Sequence, residues 1–176
     1  MNERRKVKRR ICMVRLLKIV LMFCVSCWGF VGVLSNLMDY APGLEQVRYV
    51  LSMEGAADTP GIEWRSIHSP VIATLGFAMI YLSKFATGTV CLFAAYKMFA
   101  ARNDDTAFEA AKQWGIFGCG ISVVMLFLGF IVIAGEYFEY WRVPTLGMIT
   151  HHYAFIYTMC LMSFILFLQS PEKHTK

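Results

Sequence analysis

Lys84 is the residue of this sequence whose chemistry most needs an explanation. It interrupts the apolar stretch from Pro70 to Phe99. An ammonium at the centre of a membrane helix costs about 2.5–3.5 kcal/mol on the insertion scale. The apolar residues around it, Val71, Ile72, Leu75, Phe77, Ile80, Leu82, Phe85, Val90, Leu92 and Phe93, offset roughly 3–6 kcal/mol on the same scale. Insertion survives by a narrow margin, so Lys84 is expected to face protein or water. Helical spacing agrees: Ala73, Gly76, Ile80, Lys84, Gly88, Cys91 and Ala95 form one stripe, mostly of small residues that let another helix come close. On that stripe the ammonium has two kinds of partner. One is a ligand, a lipid headgroup or a partner's carboxylate. The other is bland: hydroxyls such as Ser26 or Thr158, or the lysine stem reaching for the interface.

A second polar set lies at helix ends. Gly115, Gly118, Ser122, Gly129 and Glu136 fall on one face of an α-helix, which predicts an inward-pointing Glu136. Ser26, Gly29 and Asn36 share a face ending at the same level, and His151 and Thr158 do likewise. Asn36, Asp39, Arg65, His68, Glu136 and His151 are therefore the candidate ligand or partner residues beside Lys84. Helix-end polar groups bonding one another is the plainer account of the same pattern. Metal chemistry is weakly signalled. His68 with His151 could hold haem from facing helices, and Met38, Met53 and Met148 lie at comparable depth. Adjacent His151 and His152, however, cannot both point inward from a helix. Glu136 and Glu139 are half of a carboxylate metal site without its companions. Cys24-x-x-Cys27 sits mid-span, where it reads as two small packing residues. No nucleophile elbow, phosphate loop or zinc signature occurs. The expectation is no enzyme and no cofactor.

The elements that must position these residues follow from composition. Of 176 residues, 57% are hydrophobic and 16% charged, against about 25% charged in a soluble domain; the mean hydropathy is +0.52. The expected fold is an all-α membrane protein with four transmembrane helices, at about 16–37, 70–99, 113–135 and 149–168. Residues 1–15 form a basic head, 16–168 a single transmembrane domain and 169–176 a tail. The first span is too long for a signal peptide and leads into Asn36-Leu37-Met38-Asp39-Tyr40 rather than a small-x-small cleavage site, so it is expected to be retained.

The net charge of +5 conceals a strong asymmetry. Arg4, Arg5, Lys6, Lys8, Arg9, Arg10, Arg15 and Lys18 crowd the start of the chain. An uncharged run follows at once, which favours a membrane anchor over nucleic-acid binding. With that end inside, Lys97, Arg102, Lys112, Lys173 and Lys176 join the cytoplasmic side. Only Arg48, Arg65 and Arg142 fall outside, together with most of the acids. Both termini are therefore expected in the cytoplasm. Tyr40, Trp64, Tyr137, Tyr140 and Trp141 mark the outer boundary, and Tyr96 and Trp114 the inner. In the first outer loop Leu44, Val47, Tyr49, Val50 and Leu51 recur at helical spacing around Glu45 and Arg48. That predicts a short amphipathic helix lying on the surface or capping the bundle, followed by a turn over Ala56–Gly61. All six cysteines (Cys12, Cys24, Cys27, Cys91, Cys119, Cys160) start or lie within apolar segments, so no exported disulfide framework is expected.

Several of these stretches carry a resemblance. Asn36-x-x-Asp39-Tyr40, Val50-Leu51-Ser52-Met53-Glu54, Trp64-Arg65-x-Ile67 and Gly135-Glu136-Tyr137-Phe138-x-x-Trp141 resemble DUF2165, a family of predicted small integral membrane proteins, over roughly Trp28 to Trp141. The resemblance implies a four-helix bacterial inner-membrane protein with no established activity. Where members of that family often carry an acid in the middle of the second span, this chain has Lys84. The functional expectation is a non-enzymatic accessory subunit or interaction protein whose partners are the bilayer and a larger membrane protein or a second copy. Two alternatives stand beside it: a small carrier or ligand-binding protein built on Lys84 and the outer polar set, and a haem- or metal-binding redox protein.

Overall fold

The computed structural model describes residues 2–56 and 61–171, with side chains from Met13 onward. The side chains of Arg4, Arg5, Lys6, Lys8, Arg9, Arg10 and Cys12, and residues Asp58, Pro60, Lys173 and Lys176, lie outside the described residues.

Five helices and no strand make up the described chain: α1 (Asn2–Met38), α2 (Tyr40–Ser52), α3 (Pro70–Ala100), α4 (Asp105–Val124) and α5 (Leu146–Gln169). A π-helical segment, Met125–Tyr137, continues α4 without a break. Four stretches are long and apolar enough to cross a membrane: Met13–Met38, Pro70–Ala100, Asp105–Tyr137 and Leu146–Gln169. Even the shortest, at 24 residues, rises about 36 Å against a hydrocarbon core of about 30 Å. Each contains the span expected from the sequence. Local chemistry sets the starts: Ser69 accepts from the Ile72 amide ahead of Pro70 at the first helical position, and Asp104 accepts from Ala107 N at 3.0 Å.

The faces of these helices invert the soluble pattern. Leu75, Met79, Phe117, Val124, Leu166 and many other large apolar side chains are exposed, a surface that lipid tolerates and water does not. The interior combines large apolar side chains such as Met22, Met98, Phe108 and Leu168 with small residues at the closest helix approaches. A Cβ placed on Gly29 would stand 2.8 Å from both the Gly88 nitrogen and the Lys84 carbonyl oxygen. The backbones of α1 and α3 are therefore nearly in contact. Gly118 of α4 stands as close to Cys91 of α3, with 2.6 Å between a built Cβ and the thiol sulfur. Thr87 and Ser122 share a buried hydrogen bond of 2.8 Å across the same pair of helices. Neighbours in the bundle thus run α1, α3, α4, α5. The stripe expected on α3 is the packed one, with Ala73, Gly88, Cys91 and Ala95 buried.

The end of the bundle that carries the helix starts of α1 and α4 is tied by cations. Arg15 donates to the Arg102 carbonyl at 2.8 Å, pairs with Asp105 and lies over the Phe108 ring. Lys18, with no exposed surface, donates to the Ser170 carbonyl at 2.9 Å. Lys112, 1% exposed, reaches the same carbonyl at 3.3 Å and pairs with Glu109 at 2.7 Å. Two ammoniums meeting at the last turn of α5 complement the negative end of its dipole.

At the opposite end α2 packs on α3: Gly43 sits on the Phe77 ring and Val47 on Gly76. Met53, Ala56 and Phe138 make a small second core, with Val50, Leu51, Ile62 and Ile67 around it. The Ile67 amide bonds the Leu51 carbonyl at 2.8 Å.

Gly29→Ala is expected to destabilise the protein by about 1–3 kcal/mol, because the new methyl meets backbone that cannot yield. Gly120→Ala, where nothing lies within 4 Å of a built Cβ, is expected to be neutral or slightly stabilising. Thermal unfolding of both variants in one mild detergent checks the pair; equal midpoints would contradict the backbone contact.

Candidate functional site

Lys84 projects into the crevice between α1 and α3. Its stem fills the space left by Gly32, where a Cβ would meet Lys84 Cδ at 2.9 Å. Its Nζ lies 3.5 Å from Asn36 Oδ1, a long bond for a charged donor. Among the described residues Lys84 makes no ion pair. Among the described residues its Nζ bonds Asn36 rather than the Ser26 or Thr158 hydroxyl. Asn36 has a complementary deficit, since its Nδ2 is buried without a hydrogen-bond partner. Lys84 and Asn36 therefore present two donors, an ammonium and an amide N–H, at one place and leave them short of an acceptor. A carboxylate, with two oxygens and lone pairs to spare, matches that arrangement.

Arg65 belongs to a separate cluster. Its guanidinium lies 3.7 Å from Glu139, donates to the Tyr137 carbonyl at 3.3 Å and stands 5.6 Å from the rings of both Trp64 and Tyr137. Glu139 also pairs with Arg142, so one carboxylate serves two guanidiniums. Its backbone takes the left-handed conformation, φ 50°, which turns the chain sharply after the π segment. Beside this corner Gln46 donates to the Tyr140 hydroxyl. Burial raises the Tyr140 pKa above its ordinary value, while hydrogen bonds with Gln46 and Thr150 oppose the shift.

His151 rests on Gly135. A Cβ at that glycine would come within 2.8 Å of both Cε1 and Nδ1 of the imidazole, so only glycine leaves room for the ring. Nδ1 is buried and has no partner. Beside it a cleft of ≈ 370 Å³ is lined by Trp141, Arg142, Met148, His151 and His152.

The single convergence expected from the sequence is thus divided into a Lys84–Asn36 niche, an Arg65–Glu139–Arg142 corner and the His151 cleft. Asp39 and His68 are exposed and stand in none of them. Glu136 is a correction: it is exposed rather than inward-facing. The cause is winding. A π-helix closes i→i+5 bonds and so carries more residues per turn than an α-helix. The buried positions Leu126 and Gly135 are nine residues apart, two π turns rather than two α turns. Glu139, two residues past the π segment, is brought to the protein side by the left-handed turn at its own backbone. Sequence reasoning also left out the buried trio of Arg15, Lys18 and Lys112. Arg15 and Lys18 stand one turn apart at the edge of an apolar run, a pattern that does not tell a covered cation from a water-facing one. Among the described residues no three His, Cys, Asp or Glu side chains gather as a metal site would require.

A family model matches residues 14–170 and carries the description predicted small integral membrane protein, DUF2165. The match runs beyond the Trp28–Trp141 stretch in both directions. No curated protein and no solved structure matches the chain.

Arg65→Gln and Glu139→Gln are expected to be coupled by about 0.5–1 kcal/mol in a double-mutant cycle, the modest size reflecting partial exposure. Glu136→Gln should leave the unfolding midpoint almost unchanged. A destabilising Glu136→Gln beside a silent Glu139→Gln would show that the register had been assigned to the wrong carboxylate.

Proposed function

The chain belongs to the DUF2165 family of predicted small integral membrane proteins, and we propose that it serves as a non-enzymatic accessory subunit of a bacterial inner membrane. In this reading both termini are cytoplasmic and the α1–α3 crevice receives an acidic side chain from a larger membrane protein. The observation that carries the reading is the unfilled pair of donors, Lys84 Nζ with one long bond and Asn36 Nδ2 with none. In hydrocarbon, a cation and an amide short of acceptors favour whatever supplies one. A carboxylate on a neighbouring helix would also be neutralised by the ammonium, so each partner removes the other's insertion cost.

The small-residue stripe supports the same idea. Gly32 keeps the crevice open above the stem, and lipid-facing residues such as Val31 and Phe85 flank it. The orientation rests on the basic residues, which favour the side bearing the chain termini.

Affinity-tagged protein extracted in a gentle detergent is expected to bring down a stoichiometric larger membrane protein. Lys84→Leu should lose that partner while still inserting, and Lys84→Arg should retain part of it. A monomer without companions in several gentle detergents, or a Lys84→Leu variant that holds its partner undiminished, would refute the role. Reporter fusions at the two ends should both read cytoplasmic.

A further inference from the structure

We propose that the cleft lined by Trp141, Arg142, Met148, His151 and His152 binds the phosphate of an anionic phospholipid headgroup. The site is separate from the Lys84 niche and does not depend on the accessory role.

Three observations point to an anion at this position. No acid lines the cleft. The nearby carboxylate of Glu139 is shared between Arg65 and Arg142, so the corner carries one guanidinium more than it has acids to neutralise. Arg142 still exposes 41% of its side chain, leaving donors for a second acceptor. The cleft also includes Met148, in the first turn of α5. Thr145 precedes that helix without a side-chain cap, but the Leu146 and Gly147 amides are already bonded to the Pro144 and Val143 carbonyls, so the donors for an anion are the side chains of the cleft.

Two further observations favour a lipid as the source of that anion. The cleft lies where the Leu146–Gln169 span begins, the level at which headgroups stand and Trp and Tyr accumulate. Its other walls, Trp141 and Met148, are exposed apolar side chains suited to the glycerol and upper acyl region. The imidazole of His151 lines the cleft. Its Nδ1 edge is fixed against Gly135, which sets the plane in which the rest of the ring can offer a hydrogen bond. Arg142 would supply the planar, two-pronged contact that phosphate oxygens accept well. A choline-bearing lipid brings its own cation into an already positive corner and is disfavoured.

The test uses full-length protein, stripped of lipid in detergent and titrated separately with phosphatidylglycerol, phosphatidylcholine and inorganic phosphate. Native mass spectrometry counts bound lipid and thermal unfolding follows stability. Wild type should retain phosphatidylglycerol about tenfold better than phosphatidylcholine, the scale of one charge-assisted hydrogen bond. Arg142→Gln and His152→Gln should each reduce that preference, whereas Arg48→Gln, on the exposed face of α2, should not. His152 is exposed, so its variant keeps the test informative if Arg142→Gln fails to fold. Equal retention of the two lipids, or a preference untouched by both cleft variants, overturns the proposal. So does protection by inorganic phosphate equal to that by phosphatidylglycerol, because the site would then take a free anion.

Discussion

A charged nitrogen withdrawn from water must find an acceptor, and most of this molecule's polar architecture answers that requirement. Lys18 and Lys112 meet it by sharing the Ser170 carbonyl. Arg15 meets it with Asp105 and the Arg102 carbonyl. All three lie at one end of the bundle, where helix ends leave carbonyls unclaimed by the helix ladder. Lys84 lies further along its helix, where backbone carbonyls are already bonded within the helix, and it finds only one side-chain oxygen at 3.5 Å. The contrast between these three cations and Lys84 is what sets the α1–α3 crevice apart.

Helix packing sets where that signal appears. Between membrane helices there is little hydrophobic drive, so close backbone approach has to hold the bundle together. The Gly29–Gly88 contact brings α1 against α3 one turn from Lys84, and Gly32 then supplies the gap into which the lysine stem folds. A larger residue at either α1 glycine would separate the helices or expel the lysine. Structural and functional demands therefore fall on the same short stretch of α1, which ends at Asn36. The cap at the opposite end works differently. There Met53, Ala56 and Phe138 form an ordinary apolar cluster, and the charged corner is arranged around it.

Much of this was legible in the residues. The four spans and the small-residue face of α3 follow from hydropathy and spacing, because lipid allows few other solutions. Lys84 stood out by its cost alone, and Asn36 by its place at the end of a face. Glu136 failed because the reading assumed α-helical winding throughout, and nothing in Met125–Tyr137 announces a change of period. The burial of Lys18 and Lys112 was equally hidden. A basic residue beside an apolar run ordinarily reads as water-facing, and only the position of the end of α5 shows that these two are covered. The Glu139 corner depends on a backbone reversal just past the π segment, which residue type does not indicate.

The π segment has a mechanical meaning as well as a register. It packs more chain into each turn than the α-helix below it, so it holds a reserve of length within the membrane. Rewinding it by a single residue would rotate everything above by roughly a quarter turn and carry Glu139 away from Arg65. The position of the carboxylate at the rim thus depends on the pitch of the helix beneath it as well as on the turn at its own backbone.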